Sequence, residues 1–586
     1  MTRVETGVNA EGIVMLGGMI GSGLLLLDVV WAAGWSGVLA LAGMLSWLVV
    51  LAHRRLTDAR DLERPRSGAV LAVEVVVGIA LVSMVIARGY VLTLQFGAES
   101  SGELGAVARL YTIVFVVVAS LSVLSTAMPE RLARLLLRTV QRPALLLVGS
   151  FAVLIVVMTF VLMLPISVEE VADVSFVDAL FTVTSAVCVT GLVVNDPGST
   201  YTFFGEAVVL LSIQLGGIGI MTIAALSLMF ARDTALATQL RYAKILDVRT
   251  LADLRTTVAS IVIGTLVLEA IGAVALWFML EGDPRIGDAS PAWIGLFHSV
   301  SAFCNAGFSI LDGGLAALQT DVPVQCVVLA LVVTGGLGFP VLRELALRAV
   351  DWVVHVLDRS SPRPPRLGLT SRVVVVTSGA LILGGALVIG VLEWRGQLHG
   401  LSGGHGVLAA LFMSVNTRTA GFNTVDVGAF GATSLLVMCV LMFIGGSPGS
   451  TAGGIKTTTF ATILATLRAE LRGGETRLWR RAIATEVVRR AVAVATLSTA
   501  ICVLALMALT LTETHDFLQL LFETVSAFAT VGLSTGITPD LSVPGKIIVS
   551  LTMFVGRVGP LTIALGVARR VGVLRYRLAR ESLPIG

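Results

Sequence analysis

Charge is scarce in this sequence: of 586 residues only 13% are Asp, Glu, Lys or Arg, against 56% hydrophobic. Soluble domains carry about 25% charged residues, so a water-soluble globular chain is excluded. A mean hydropathy of +0.92 places most of the mass in a bilayer. Cysteine is far scarcer, with five residues. Cys188, Cys304, Cys326, Cys439 and Cys502 lie in or beside apolar segments without disulfide or metal spacing, and read as small hydrophobes. Six scattered histidines offer no metal site. No Walker, Rossmann or other catalytic motif is present, and the loops are too short for a nucleotide-binding domain. An enzyme and a nucleic-acid binder are therefore not expected, and any nucleotide control belongs to another polypeptide. The first hydrophobic run is followed almost at once by another, so no cleavable signal peptide is expected.

What is present is span after span. The tract Ile13–Leu51 is too long for one helix and reads as a hairpin of two spans around Gly34 and Gly37. Val70–Leu92 and Ala106–Val123 follow, with basic segments at His53–Arg66 and Glu130–Arg142. Residues 1–142 are thus expected to hold four transmembrane helices. From Pro143 the chain repeats: an apolar span, a short semi-polar helix ending in glycine, and a second span. First spans are expected at Ala144–Leu164, Val258–Leu280, Val373–Val391 and Ala491–Leu511. Second spans are expected at Phe203–Phe230, Val327–Val350, Ser434–Leu467 and Lys546–Ala568.

Between them stand LFTVTSAVCVTGL (Leu180–Leu192), LFHSVSAFCNAGF (Leu296–Phe308), LFMSVNTRTAGF (Leu411–Phe422) and LFETVSAFATVGL (Leu521–Leu533). Their glycines, Gly191, Gly307, Gly421 and Gly532, are 116, 114 and 111 residues apart, and Ser185, Ser301 and Ser526 each precede theirs by six. This is an internal repeat. Its units are 143–245, 246–365, 366–482 and 483–586. The expected fold is an all-α polytopic membrane protein with four span–pore helix–span repeats in pseudo-fourfold arrangement around one pore, plus the four N-terminal helices.

Basic clusters at Arg232–Arg255, Arg343–Arg372, Arg468–Arg490 and Arg569–Arg580 all follow a second span, whereas the opposite connections are acidic or neutral. The positive-inside rule then puts the basic loops and both termini in the cytoplasm, and the four short helices enter from outside and turn back.

Four glycine-ended re-entrant helices suit a cation path. An ion leaving water needs oxygens in place of its hydration shell, and backbone carbonyls supply them without a full charge that would trap it. Glycine permits the backbone angles and close approach required, and helix C-termini favour cations. The filter is expected at Val189–Thr190–Gly191, Asn305–Ala306–Gly307, Thr419–Ala420–Gly421 and Thr530–Val531–Gly532, with K+ at their carbonyls. The bland alternative is four packing turns between helices.

The third second span is interrupted by IGGSPGSTAGGIKTT, Ile444–Thr458. Broken backbone at membrane depth is tolerated only where protein or a water-filled cavity satisfies it. Gly445, Gly446, Ser447, Gly449, Ser450, Thr451, Gly453 and Gly454 make it compact and polar, and a gate across the pore is expected; a purely structural interruption is the alternative. Glycines at Gly216, Gly217, Gly219, Gly335, Gly336, Gly338, Gly556 and Gly559 mark a similar depth in the other repeats. Lys456 and Arg557 are embedded there, where buried charge signals function. Arg557 is expected to donate to loop carbonyls of a neighbouring repeat; Lys456 either helps hold the barrier or snorkels to the interface. Arg418 and Glu523 are expected to pair behind the filter as support, and His298 to be a hydrogen-bonding wall residue.

With VTSAVCVTGL, SVSAFCNAGF, TRTAGFNT, FATVGLSTG, GGSPGSTAGGIKTTT and GRVGPLT, the chain resembles the TrkH/KtrB family of potassium transporters over about Pro143 to Arg570. CVTGL, TRTAGFNT and GRVGP are closer to KtrB. The resemblance implies potassium uptake across the bacterial plasma membrane, one pore per chain, and a homodimer. It carries the family's filter onto Thr190–Gly191, Ala306–Gly307, Ala420–Gly421 and Val531–Gly532, its gating loop onto Gly445–Lys456, and its loop-facing arginine onto Arg557. It further implies a cytosolic KtrA/TrkA-like ring binding ATP/ADP or NAD(H), and sodium stimulation. Four spans ahead of the first repeat depart from both subfamilies. An obligatory sodium- or proton-coupled symporter would use the same filter; a non-transporting scaffold or receptor is the reading from another class.

Overall fold

A computed structural model describes residues 143–169, 174–230, 251–286, 289–311, 313–360, 362–363, 365–560 and 562. The four expected N-terminal spans, most of Arg232–Arg255, and Arg569–Arg580 lie outside the described residues. Within them the element order follows the expected period. The first unit holds α1 (Pro143–Leu162), α2 (Phe176–Val187) and α3 (Phe203–Phe230), and the second α4 (Leu251–Leu280), α5 (Pro291–Cys304), α6 (Val322–Leu337) and α7 (Phe339–Leu357). The third holds α8 (Leu369–Glu393), α9 (Gly403–Asn416), α10 (Ala432–Phe443) and α11 (Thr457–Arg472), and the fourth α12 (Thr485–Thr512), α13 (Phe517–Ala529) and α14 (Val543–Val558). A two-residue hairpin, Arg477–Leu478 against Arg481–Ala482, is a minor exception to the all-α expectation.

The long helices are apolar almost all round because lipid replaces water on their outer faces. Phe160, Ile263, Leu383, Leu387, Leu504 and Leu511 are exposed on α1, α4, α8 and α12. Segments Ser260–Leu280, Leu369–Glu393 and Thr485–Thr512 are long and apolar enough to cross a membrane. The short helices are built differently. Ser175 and Asp178 form a capping box at α2, Asp516 and Gln519 another at α13, and Pro291 opens α5. The boxes satisfy orphan N–H groups, and Pro291 removes one, in helices only three or so turns long. All four short helices are buried along their C-terminal halves.

Two expected spans are corrected. Lys546–Ala568 is interrupted at Gly559, φ +92°, where α14 ends. Val327–Val350 is not a single helix either: it breaks at Gly338, and α7 leaves α6 at 109°. Gly338 has φ +85°, a conformation that L side chains rarely adopt, and Pro340 in the next turn has no N–H to continue the ladder.

The core lies along the seams between units. Phe151, Phe181 and Val209 of the first pack with Leu509, Leu520 and Val549 of the fourth. Leu276, Phe303 and Val328 of the second meet Phe412 and Phe422 of the third; Ile389 and Met438 of the third meet Phe522 and Val531 of the fourth. Polar links reinforce the seams: Trp293 Nε1 donates to Glu206 at 2.6 Å, and Lys546 Nζ to Asp178 at 2.7 Å. Lys546 and Asp178 are both largely buried. Lys546→Met is expected to cost about 1–3 kcal/mol, because it takes the charged partner from a shielded carboxylate and leaves it only the donors of Ser175. A thermal melt of purified protein checks this; Asp178→Asn in the same chain should recover part of the loss, and an unchanged melting temperature for Lys546→Met would reject it.

Candidate functional site

The four short helices all end in the same local conformation. Val189, Asn305, Thr419 and Thr530 have φ of +56°, +61°, +75° and +51°, and two residues later Gly191, Gly307, Gly421 and Gly532 have +95°, +71°, +78° and +91°. Non-glycine residues avoid positive φ unless the surroundings impose it. The imposition here comes from bonds that tie each turn back to its helix. Thr190, Ala306 and Val531 N–H donate to the carbonyls of Ser185, Ser301 and Ser526 at 2.8, 2.7 and 2.9 Å. Gly191 and Gly532 N–H donate to the hydroxyls of Ser185 and Ser526 at 3.0 and 3.1 Å, and Ser301 Oγ donates to Phe308 O at 2.8 Å.

The third turn has no serine at the matching place. Asn416, five residues before its glycine, does the work: its backbone carbonyl accepts from Ala420 N–H at 3.1 Å and its side-chain oxygen from Phe422 N–H at 3.1 Å. Asn416 was missed from sequence; the signal was a polar residue within one position of the serine column.

The four turns meet one another. A Cβ on Gly191 would sit 2.4 Å from Ala306 O, one on Gly307 2.6 Å from Ala420 O, one on Gly421 2.4 Å from Val531 O, and one on Gly532 2.1 Å from Thr190 O. The chain of contacts closes on itself in sequence order. All four glycines open onto a cavity of about 300 Å³, also lined by Asp196, Asp426, Ser309 and Ser534. Sign-alternating φ turns successive carbonyls to one side, so such a cluster offers backbone oxygens without a formal charge. The hydroxyls of Thr190, Thr419 and Thr530 are buried with no protein partner, so polar capacity remains for a guest that accepts oxygen ligands.

The third-unit interruption, residues 444–456 between α10 and α11, touches the turns without lining this cavity. Gly453 approaches so closely that a Cβ there would be 2.2 Å from Thr530 Oγ1. The loop folds on itself through Thr457 N–H to Gly446 O at 3.0 Å and Ser450 Oγ to Ser447 O at 2.8 Å. Lys456 Nζ donates to Ala452 O at 2.6 Å, inside the loop. Arg557, 4% exposed, donates from Nη1 to Thr451 O of the third unit and from Nη2 to Gly216 O of the first at 2.7 Å. It thus reaches the neighbouring-unit carbonyls expected of it.

The expected Arg418–Glu523 ion pair is not formed. Arg418 donates to Ser378 O at 3.2 Å and to Gly445 O at 2.9 Å, so it ties the loop rather than the glycine turns. Glu523 accepts from Ser534 Oγ at 2.9 Å and from Thr538 Oγ1, two residues lining the cavity. The two side chains serve opposite faces of the turns: Arg418 follows the end of α9, whereas Glu523 is in the middle of α13. His298 holds Ile294 O at 2.9 Å and Ser309 Oγ at 2.8 Å, as a wall residue should. The deeper glycines are contact points. Cβ atoms on Gly216, Gly335 and Gly556 would meet Val187 O, Phe303 O and Phe528 O at 2.0, 1.9 and 1.8 Å, each the carbonyl two residues before a turn's first positive φ. Among the described residues no group of three or more His, Cys, Asp or Glu could hold a metal.

Residues 133–571 match the model of TrkH, described as a cation transport protein. The Ktr system potassium uptake protein B of Bacillus subtilis is 37% identical over 436 residues, covering 73% of this chain and 93% of that protein. The potassium/sodium uptake protein NtpJ of Enterococcus hirae is 34% identical over 455 residues, covering 76% and 97%. The crystal structure of the potassium transporter TrkH from Vibrio parahaemolyticus superposes with a TM-score of 0.56 at 17% identity over 95% of this chain and 98% of that one. The chain is a membrane transporter, not an enzyme, and it belongs to the TrkH family of cation transport proteins.

Proposed function

We propose that the chain takes up potassium through one selective pore, with the glycine turns as filter and residues 445–456 as gate. The observation that carries the filter is the closed circuit of four turns with left-handed backbone at their first and third residues. In this reading the four repeats surround the path pseudo-symmetrically, and K+ sheds water onto carbonyls of Val189–Gly191, Asn305–Gly307, Thr419–Gly421 and Thr530–Gly532. Glu523 steadies the outer lip, Arg418 and Arg557 anchor the loop, and Lys456 closes it on itself.

The gate reading is supported by the loop's seat under Thr530 and its ties to two other repeats. The name of the first relative, a Ktr system protein, supports a separate partner component. That the partner is a cytosolic nucleotide-binding ring, that the chain forms a homodimer, and that both termini are cytoplasmic in a bacterial plasma membrane rest on the sequence resemblance and the loop charges alone. The relative named for both potassium and sodium keeps a sodium-coupled symporter as the second reading.

Purified protein in liposomes is expected to pass potassium and rubidium in preference to sodium and lithium. Equal permeation of all four would sink the filter assignment. Potassium flux at clamped voltage without sodium, and without a proton gradient, separates the pore from the coupled symporter, which would stand still.

A further inference from the structure

The broken second span has no place in the ion path proposed above, yet its break is where the third-unit loop is seated. Phe339 N–H donates to Gly449 O at 3.0 Å, and Ser447 N–H donates to Gly336 O at 3.2 Å. A Cβ on Gly338 would lie 2.6 Å from Pro448 O. These ties join backbone to backbone across two repeats, so no rotamer change loosens them. Either the loop and the start of α7 move together, or the bonds break.

Past its first turn α7 has little to pack on: of its residues only Val341 is buried. Its polar side faces the chain that follows. Glu344 accepts from Gly368 N–H at 2.6 Å and from Ser371 Oγ, and Arg348 donates to Pro365 O at 2.8 Å. Much of the remaining circumference is bare hydrocarbon: Val350, Trp352, Val353 and Leu357 are 60, 58, 48 and 82% exposed. Immediately beyond come Arg359, Arg363 and Arg366, all exposed.

A helix leaving a membrane span at 109°, apolar on one side and flanked by arginines, has the attributes of an amphipathic segment lying in the interface plane. Its basic flank complements anionic headgroups. We propose that α7 is seated on an anionic lipid surface and that, through the Gly336–Phe339 seat, its position in the leaflet sets how firmly the loop is held. A soluble partner fits the surface less well, since this apolar face would stand in water whenever the partner left. The coupling, though not the lipid seat, rests on the gate reading above.

The test uses the full chain in proteoliposomes. With Cys326 replaced by serine the remaining cysteines are buried, so a spin label on Val353→Cys reports this face alone. The label is expected to be accessible to oxygen and shielded from a water-soluble nickel chelate; free access of the chelate overturns the lipid seat and gives the face to a soluble partner. Rubidium flux is expected to differ at least about fivefold between phosphatidylcholine and phosphatidylcholine–phosphatidylglycerol vesicles, an energy of about 1 kcal/mol. Replacing Arg359, Arg363 and Arg366 with glutamine should abolish that difference. Equal flux in both lipids, in protein that elutes as a single species, overturns the coupling. Deleting residues 447–452 separates the two readings. A deletion that leaves flux unchanged rejects the gate; one that raises it, while lipid composition and the arginine variants have no effect, rejects only this inference.

Discussion

Alanine at Gly532 is expected to lower rubidium flux by about 100-fold or more, the rate equivalent of about 2.7 kcal/mol. Two effects add. The left-handed conformation, φ +91°, costs a non-glycine residue about 1–2 kcal/mol. The new Cβ would then stand 2.1 Å from Thr190 O and 2.9 Å from Gly191 Cα, atoms of the next turn's backbone that have no rotamer to yield. The turns must spread, and the spacing of carbonyl oxygens around a dehydrated ion changes with them. Gly400 is the matched control. It has φ +101° but open space around its Cβ position, and it does not line the cavity, so Gly400→Ala should cost stability without altering flux or selectivity. Wild-type flux in Gly532→Ala would remove this turn from the ion path. If Gly532→Ala and Gly400→Ala lose flux equally, backbone strain alone is responsible and the close approach of the turns is irrelevant.

Methionine at Arg557 is expected to act in the opposite direction and raise basal rubidium flux about tenfold. Arg557 spans two repeats, donating to Thr451 O in the loop and Gly216 O in the first unit. Hydrogen bonds from a charged donor contribute about 1.5–3 kcal/mol each, and about 1.4 kcal/mol moves a two-state equilibrium tenfold. Loss of the loop tie alone is therefore enough to populate a loosened loop. Lysine at this position keeps the charge but presents one compact ammonium in place of a fork, so Arg557→Lys should leak less than Arg557→Met. Folded Arg557→Met with unchanged flux would show that the tie does not hold the path closed. If the methionine protein fails to fold, the lysine variant carries the test: a leak intermediate between wild type and the loop deletion supports the tie, and wild-type flux rejects it.

The two arginines that tie the loop show how differently the chain discloses its parts. Arg557 was legible as a donor to a neighbouring repeat, because a buried guanidinium near a glycine-rich loop has few other ways to satisfy its donors. Arg418 was not. Sequence spacing put it near Glu523 and suggested an ion pair, yet its fork reaches Ser378 O and Gly445 O, and Glu523 turns to Ser534 and Thr538. Backbone carbonyls carry no label in a sequence, so a charge satisfied by carbonyls looks the same as one awaiting a counter-ion. The substitution of Asn416 for the serine of the other turns was hidden for a related reason. Its hydrogen bonds match theirs in effect, but its column in the repeat is shifted by one.

By itself the sequence determined the membrane class, the recurrence of four related motifs, their glycines and the interruption at Ile444–Thr458. These follow from local chemistry: apolar length, recurring spacing, and the conformations that only glycine adopts without strain. The tertiary structure decided that the four turns close on one another, that the second inner span bends at Gly338, and what the interruption rests on. Its seat is made of backbone groups from the second repeat, a guanidinium from the fourth and a threonine of the fourth turn. Such contacts join residues 77 to 111 positions apart, most of them through a backbone atom that every residue shares, and no local pattern can announce them.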